Sequence, residues 1–482
     1  MSLPERYLRL MTPSSIPGQT AVPYDDDAMF SRIARRLLPL LFLCYIVAYL
    51  DRVNVGFAKL QMAAELEWSD AIYGFGAGIF FLGYFLFEVP SNLLLERFGA
   101  RRWIARIMIS WGIISSAFAF VDRIPWGPLP GWFGVDADAF GFYALRLLLG
   151  VAEAGFFPGI ILYLTYWFPA ARRARTVAWF MTAIAVANVV GGPLSGFIMN
   201  IFDGSGAWSG WRWLFVIEGI PSILMGVAVL RWLPDGPRQA RWLSARDCEL
   251  VEHRLEADRI ARAAGMNVVH GKEASHAGHD PATVKAAMTD RRVWALAFVY
   301  FAGTVSLYGV NFWMPTIIQE LGIDRTAYLE IGLLSMIPWS IAGLAMIWAG
   351  AHSDRTGERR WHVAGALGLT ATGLAVLSLV GHAIVPSLFG LVLVASGVLA
   401  FFATFWSLPT AFLQRSAAAA GIAWINSIGN LGGHFGPDLI GRVRAATGGT
   451  TGAFLALGAL AVLGAVVTLT VTKHSTVRST PL

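Results

Sequence analysis

Two pairs of charged residues stand inside stretches that are otherwise apolar: Asp51 with Arg52, and Arg146 with Glu153. A charge in the middle of a membrane-spanning segment costs from about 2.5 kcal/mol upward, so it ordinarily faces a partner or a water-filled path. Arg146 and Glu153 are seven residues apart, which on a helix places both on one face about 10 Å apart. An arginine fork is permanently charged and matches a carboxylate better than lysine does. A carboxylate beside it can take up and release a proton, with an affinity set by burial and by the neighbouring cation. The expectation is that Arg52 and Arg146 hold the negative charge of an anion while Asp51 and Glu153 titrate. Protonation of a carboxylate would free its arginine, which links proton binding to anion binding. The plainer alternative is a set of static ion pairs buttressing two helices.

Other polar residues in apolar stretches are candidates to line a cavity: Tyr84, Tyr308, Asn311, Trp406, Asn426, Asn430 and His434. Each also has a packing explanation, because polar residues in spans often hydrogen-bond between helices and Tyr or Trp anchor at interfaces. A lone histidine such as His434 is more often a hydrogen-bonded packing group than a proton carrier. Asp438 and Arg442, four apart, are expected to pair with each other. Glu88 and Glu218 read as structural. Glycine-rich strings such as Gly74-Phe-Gly76-Ala-Gly78 lie inside apolar runs, where glycine serves close helix packing, so nucleotide binding is rejected. Cys44 and Cys248 form no metal spacing and suggest no disulfide.

The elements that must position these residues are membrane helices. The chain is 56% hydrophobic and only 14% charged, against about 25% charged in a soluble domain. Its apolar runs reach the roughly 20 residues needed to cross a bilayer. They fall at roughly 36–58, 71–95, 102–121, 139–168, 176–202 and 212–233, then at 292–318, 328–352, 361–381, 387–414, 417–443 and 453–473. The expected organisation is an all-α integral membrane fold of twelve helices in two six-helix bundles, residues 31–233 and 292–473. A polar tail (1–30), a charged linker (234–291) and a short tail (474–482) complete it. With both termini on one side, 27 of the 37 Lys and Arg lie on that side and 6 on the other. That side is therefore expected to be cytoplasmic. No soluble basic domain offers a nucleic-acid surface, and no nucleophile–base or metal constellation suggests an enzyme.

An internal repeat supports the two halves. Glu96-Arg97-Phe-Gly99-Ala-Arg101-Arg102 follows the second apolar run, and Asp354-Arg355-Thr-Gly357-Glu-Arg359-Arg360 follows the eighth, at a constant offset of 258 residues. Together the two loops resemble the signature loop of the major facilitator superfamily. Arg146-Leu-Leu-Leu-Gly150 resembles that superfamily's second motif. Tyr49-Leu-Asp-Arg-Val-Asn-Val-Gly-Phe-Ala58, Trp211-Arg-Trp-Leu-Phe-Val-Ile-Glu-Gly219 and Ile425-Asn-Ser-Ile-Gly-Asn-Leu-Gly-Gly433 resemble its anion:cation symporter branch, whose tartrate and phthalate permeases are the nearest members. The likeness covers about residues 30–475. Asn92 departs from it, standing where the loop usually opens with Gly; so do His434 and Asp438, where aromatic residues are usual.

The resemblance implies a proton-coupled symporter that imports a small organic carboxylate by alternating access, as a monomer, with no cofactor beyond the proton gradient. It supports Asp51, Arg52, Arg146 and Glu153 as the working set. It also implies that Glu96, Arg97, Arg101, Asp354, Arg355 and Arg359 latch the helix ends during conformational change. The alternatives are a drug or organic-ion exchanger of the same fold, and a membrane sensor that binds ligand without transport.

Overall fold

A computed structural model of the protein describes residues 26–263, 289–412 and 415–471. The expected tail at 474–482, most of the tail at 1–30 and the second half of the linker lie outside the described residues. Helices α1 (Asp26–Val53) and α2 (Val55–Glu65) form one span interrupted at Asn54, followed by α3 (Asp70–Phe98) and α4 (Ala100–Ala117). After the short α5 (Leu129–Phe133), α6 (Ala137–Glu153) and α7 (Phe156–Thr165) are again one span in two pieces; α8 (Ala170–Phe202) and α9 (Gly210–Trp232) complete the first set. The linker helix is α10 (Ala245–Ala263). The second set runs α11 (Arg291–Gln319), α12 (Tyr328–Thr356), α13 (Arg360–Leu379), α14 (Ile384–Phe405), α15 (Ser407–Phe412), α16 (Arg415–Asn430), α17 (Gly432–Thr447) and α18 (Thr451–Val471). Helices suit a bilayer because every backbone N–H finds its acceptor within the segment.

Eleven described helical segments are long and apolar enough to cross a membrane. The α16–α17 segment is the more polar exception. It packs against α11 and α3, so its Asn426 and Asn430 belong to the protein interior rather than to lipid. The repeated loops form equivalent turns. Gly99 (φ +86°) ends α3 and Gly357 (φ +68°) ends α12, conformations that glycine adopts without a Cβ penalty.

The two sets meet where α2 packs on α11, α3 on α17, and α8 on α12. Small residues allow the approach: a Cβ at Gly192 would lie 2.8 Å from the carbonyl oxygen of Gly332. The hydrophobic core runs across both sets at the end away from the repeated loops, joining Phe57 and Tyr73 to Phe312, Trp313 and Trp339. Near the loop end the second set has its own cluster, including Val293, Tyr300, Phe401 and Ile425. The halves are thus closed together at one end and separately packed at the other. Gly192→Val is expected to cost about 1–3 kcal/mol by overpacking, read as a fall of several degrees in the unfolding midpoint of the detergent-solubilised protein.

The linker is more ordered than its charge suggested. Helix α10 buries Val251, Ala257 and Ile260 and docks on the loop end of the first set. Arg254 pairs with Asp26 at 2.7 Å and Arg32 with Asp247 at 3.2 Å. The backbone N–H of Ala170 donates to Asp258 at 3.1 Å, and Trp242 stacks on Trp167. The apolar residues of this helix are interleaved with charges and do not stand out in composition.

Candidate functional site

Helix interruptions coincide with the residues singled out by their chemistry. The first span breaks at Asn54, just after Asp51 and Arg52. The fourth breaks directly after Glu153, where Ala154 (ψ 130°) and Gly155 (φ +84°) turn the chain into α7. The tenth breaks at Trp406 and the eleventh at Leu431, beside Asn430. Discontinuous helices at mid-membrane depth are the usual frame of a transporter's binding site.

Arg52 forms an ion pair with Glu153, and both are buried. Its Nη1 also donates to the Tyr308 hydroxyl at 3.0 Å, so the guanidinium bridges α1, α6 and, across the two sets, α11. The rings of Tyr49 and Phe80 lie 5.5 Å from it and that of Tyr84 5.9 Å. Arg146 is fully buried nearby, between the faces of Phe80 and Phe312 at 5.1 and 5.5 Å. Its Nη2 donates to the carbonyl of Ala77 at 2.8 Å and its Nε to that of Gly76 at 3.4 Å. Among the described residues no carboxylate pairs with it, leaving one buried cation whose charge only backbone carbonyls and aromatic faces offset.

Asp51 does not join this group, although it precedes Arg52 in sequence. One helical step turns it into the first set, where it accepts from Ser115 at 2.9 Å and Ser222 at 2.5 Å. Its partners are hydroxyls, so the expected Asp51–arginine exchange has no geometric basis here. Glu218 is similar, buried and accepting from Ser195 at 2.9 Å.

The remaining candidates divide. Asn311 donates to Asn188 of α8 at 2.8 Å, across the two sets, beside a cavity of about 20 Å³ lined in part by Val53, Ser335 and Trp339. Asn426 donates to Glu88 of α3 at 2.9 Å, also across the sets. Trp406 lies 4.8 Å from the ring of Tyr300 and Tyr308 4.3 Å from Phe81. His434 instead packs edge-on against Phe75 and its neighbour Phe435, away from the rings around Arg52. Asp438 and Arg442 pair at 2.7 Å as expected. Asn430 is half-buried at the end of α16. A concavity of about 380 Å³ between α4 and α9 opens beside exposed Ile113 and Leu230 and touches none of these groups. Asn188 was missed, although a lone Asn in an apolar run was the signal that found Asn311.

Among the described residues no contact of the repeated loops crosses from one half to the other; the first loop meets the start of the linker and the second stays in its own half. The backbone N–H of Arg101 donates to Asp235 at 2.7 Å, and Arg359 pairs with Asp354 at 2.6 Å. Arg97 lies over the ring of Phe98; Glu96 and Arg355 are exposed. Among the described residues, ion pairing between the halves occurs at the opposite end instead. Lys59 of α2 pairs with Asp70 of α3 at 2.9 Å and donates to Thr316 of α11 at 3.3 Å. Arg444 of α17 reaches Asp70 at 3.0 Å and Glu320 at 3.0 and 2.5 Å. Outside the spans at this end, hydrogen bonds from Arg212 hold the Asp122 carboxyl below the ordinary carboxylate range. Among the described residues no group of three His, Cys, Asp or Glu could hold a metal ion.

The profile of the Major Facilitator Superfamily matches residues 41–437. An Agrobacterium vitis protein named "Putative tartrate transporter" is 45% identical over 448 residues, covering 93% of this chain and 95% of that one. An Acinetobacter baumannii protein named "Quinolone resistance transporter" is 39% identical over 440 residues, 90% of this chain and 92% of that one. Among solved structures, an inward-facing bacterial homologue of the human lysosomal transporter Spinster superposes with a TM-score of 0.67 at 16% identity, covering 91% of this chain and 96% of that one. That last likeness shows the fold, and the sequence matches show the family: this chain belongs to the major facilitator superfamily and is a membrane transporter, not an enzyme.

Proposed function

We propose that the protein is a proton-coupled symporter that imports a small organic anion, a carboxylate of the tartrate or phthalate class, by alternating access. The observation that carries this is Arg52, an arginine at the meeting of the two halves whose counter-ion is the buried Glu153. In this reading a proton on Glu153 releases the Arg52 fork to the substrate carboxylate, so proton and anion enter together. Arg146, without a carboxylate partner, supplies the standing positive field that favours an anion. Asp51 is a second proton site that acts inside the first half through its serine partners rather than by exchanging with an arginine. The end bearing the repeated loops faces the cytoplasm, and the described conformation is closed toward the other side. The working unit is a monomer in a bacterial inner membrane. The name of the Agrobacterium vitis relative supports the tartrate class.

Glu153→Gln tests the coupling. It removes the proton while preserving shape, so accumulation driven by an imposed pH gradient in proteoliposomes is expected to vanish while counterflow exchange persists. Normal proton-driven accumulation in that variant would overturn the assignment. A second reading, outward transport of a drug-like organic ion, is favoured by the name of the Acinetobacter baumannii relative. The direction of net flux under an inward proton gradient separates the two.

A further inference from the structure

A second buried carboxylate lies between the halves and is not used by the exchange at Arg52. Glu88 of α3 is 7% exposed. Its Oε1 accepts from Asn426 of α16 at 2.9 Å, while its Oε2 is buried with no hydrogen-bond partner among the described residues. Among the described residues no ion pair balances it. Glu88 follows Tyr84 by four residues, so it lies about 6 Å further along α3, on the same face. Tyr84 is also the ring that borders Arg52, at 5.9 Å. Tyr84 thus stands beside the Arg52 guanidinium of α1 and one helical turn before Glu88 on α3.

A buried acceptor with an unused lone pair is stable when a donor reaches it. Asn426 supplies one donor, and the free oxygen calls for a second. Resting on the carboxylate-transport reading above, we propose that Glu88 is a specificity-determining residue that accepts a hydrogen bond from a hydroxyl or N–H of the cargo. The ligand chemistry is then a small molecule with a carboxylate for Arg52 and, further along its carbon chain, a hydroxyl or N–H for Glu88. A plain carboxylate of equal length satisfies Arg52 and leaves Oε2 unpaired, so it is disfavoured. Sites built to hydrogen-bond a polar group reject the analogue that lacks it, because their own buried group is then stranded.

The test uses the full-length protein in proteoliposomes, with tartrate and succinate as probes; succinate has the same two carboxylates and no hydroxyl. Competition against labelled tartrate should favour tartrate over succinate by about 10- to 100-fold, the equivalent of one hydrogen bond to a charged group. In Glu88→Gln that ratio should collapse to within about threefold. Glu88→Asp, which keeps the charge one methylene shorter, should give an intermediate ratio and guards against misfolding of the first variant. An unaltered ratio in both variants overturns the proposal. So does an equal loss for both probes, which would mark the Glu88–Asn426 contact as a latch between the halves. If the unmodified protein takes up neither probe nor any other carboxylate, the transport reading falls and this proposal with it; tartrate uptake with an unaltered ratio sinks the proposal alone.

Discussion

Arg52→Ala is expected to abolish anion uptake and weaken tartrate binding by at least about 100-fold. The guanidinium bridges both halves of the site, through Glu153 on α6 and the Tyr308 hydroxyl on α11. Two losses follow from its removal and must be separated. Glu153 becomes a buried charge without a partner, which costs about 3–5 kcal/mol and lowers the unfolding midpoint. The substrate carboxylate loses its charge-assisted fork, which lowers affinity. Adding Glu153→Gln removes the stranded charge, so the double variant should regain most of the lost stability while binding stays weak. Arg52→Lys keeps a charge without the planar fork and should fall between, because lysine cannot engage a carboxylate and Tyr308 in the same geometry. Binding is read by competition against labelled substrate, and stability by thermal unfolding in detergent. A folded Arg52→Ala protein that binds and transports normally would remove Arg52 from the site.

Arg444→Ala is expected to open the end of the protein away from the repeated loops. In the closed arrangement Arg444 is buried, hydrogen-bonded to Glu320 in its own half and to Asp70 in the other. Asp70 in turn holds Lys59, which reaches Thr316 across the interface. Each hydrogen bond to a charged group contributes about 1.5–3 kcal/mol, so losing the Asp70–Arg444 link should shift the closed–open balance by about 10- to 100-fold. The shift can be read at Ser335, buried at the interface and 3% exposed, as the rate at which Ser335→Cys is labelled by an impermeant maleimide. The native Cys44 and Cys248 are replaced first. Labelling that stays within about twofold of the parent would show that aromatic and glycine packing, not these charges, keeps that end shut.

How much of this was legible beforehand depended on how local each cause is. Span number and helical class follow from runs of apolar residues, since a bilayer leaves backbone groups few alternatives to the helix. The equivalence of the two halves follows from the repeated loops, whose Gly99 and Gly357 end helices in the same positive-φ conformation. The choice of Arg52, Arg146 and Glu153 as candidates follows from the cost of a charge in hydrocarbon, which is a property of each residue alone.

Partnership was decided only by tertiary structure. Arg146 and Glu153 share a helix face, yet Glu153 pairs with Arg52, because α6 ends at Glu153 and α1 brings Arg52 against it. Asp51 touches Arg52 in sequence and serines from two other helices in space. Neighbouring residues on a helix point about 100° apart, and the helix each one meets depends on how the bundle assembles. The same holds for Glu88 with Asn426, and for the Lys59, Asp70, Glu320 and Arg444 cluster, whose members come from four helices of both halves. Composition and spacing therefore determined that this chain crosses a membrane in two related halves and carries buried charge. Which charges answer one another, and which end of the protein they close, are properties of contacts between distant segments, and those arise only when the helices pack.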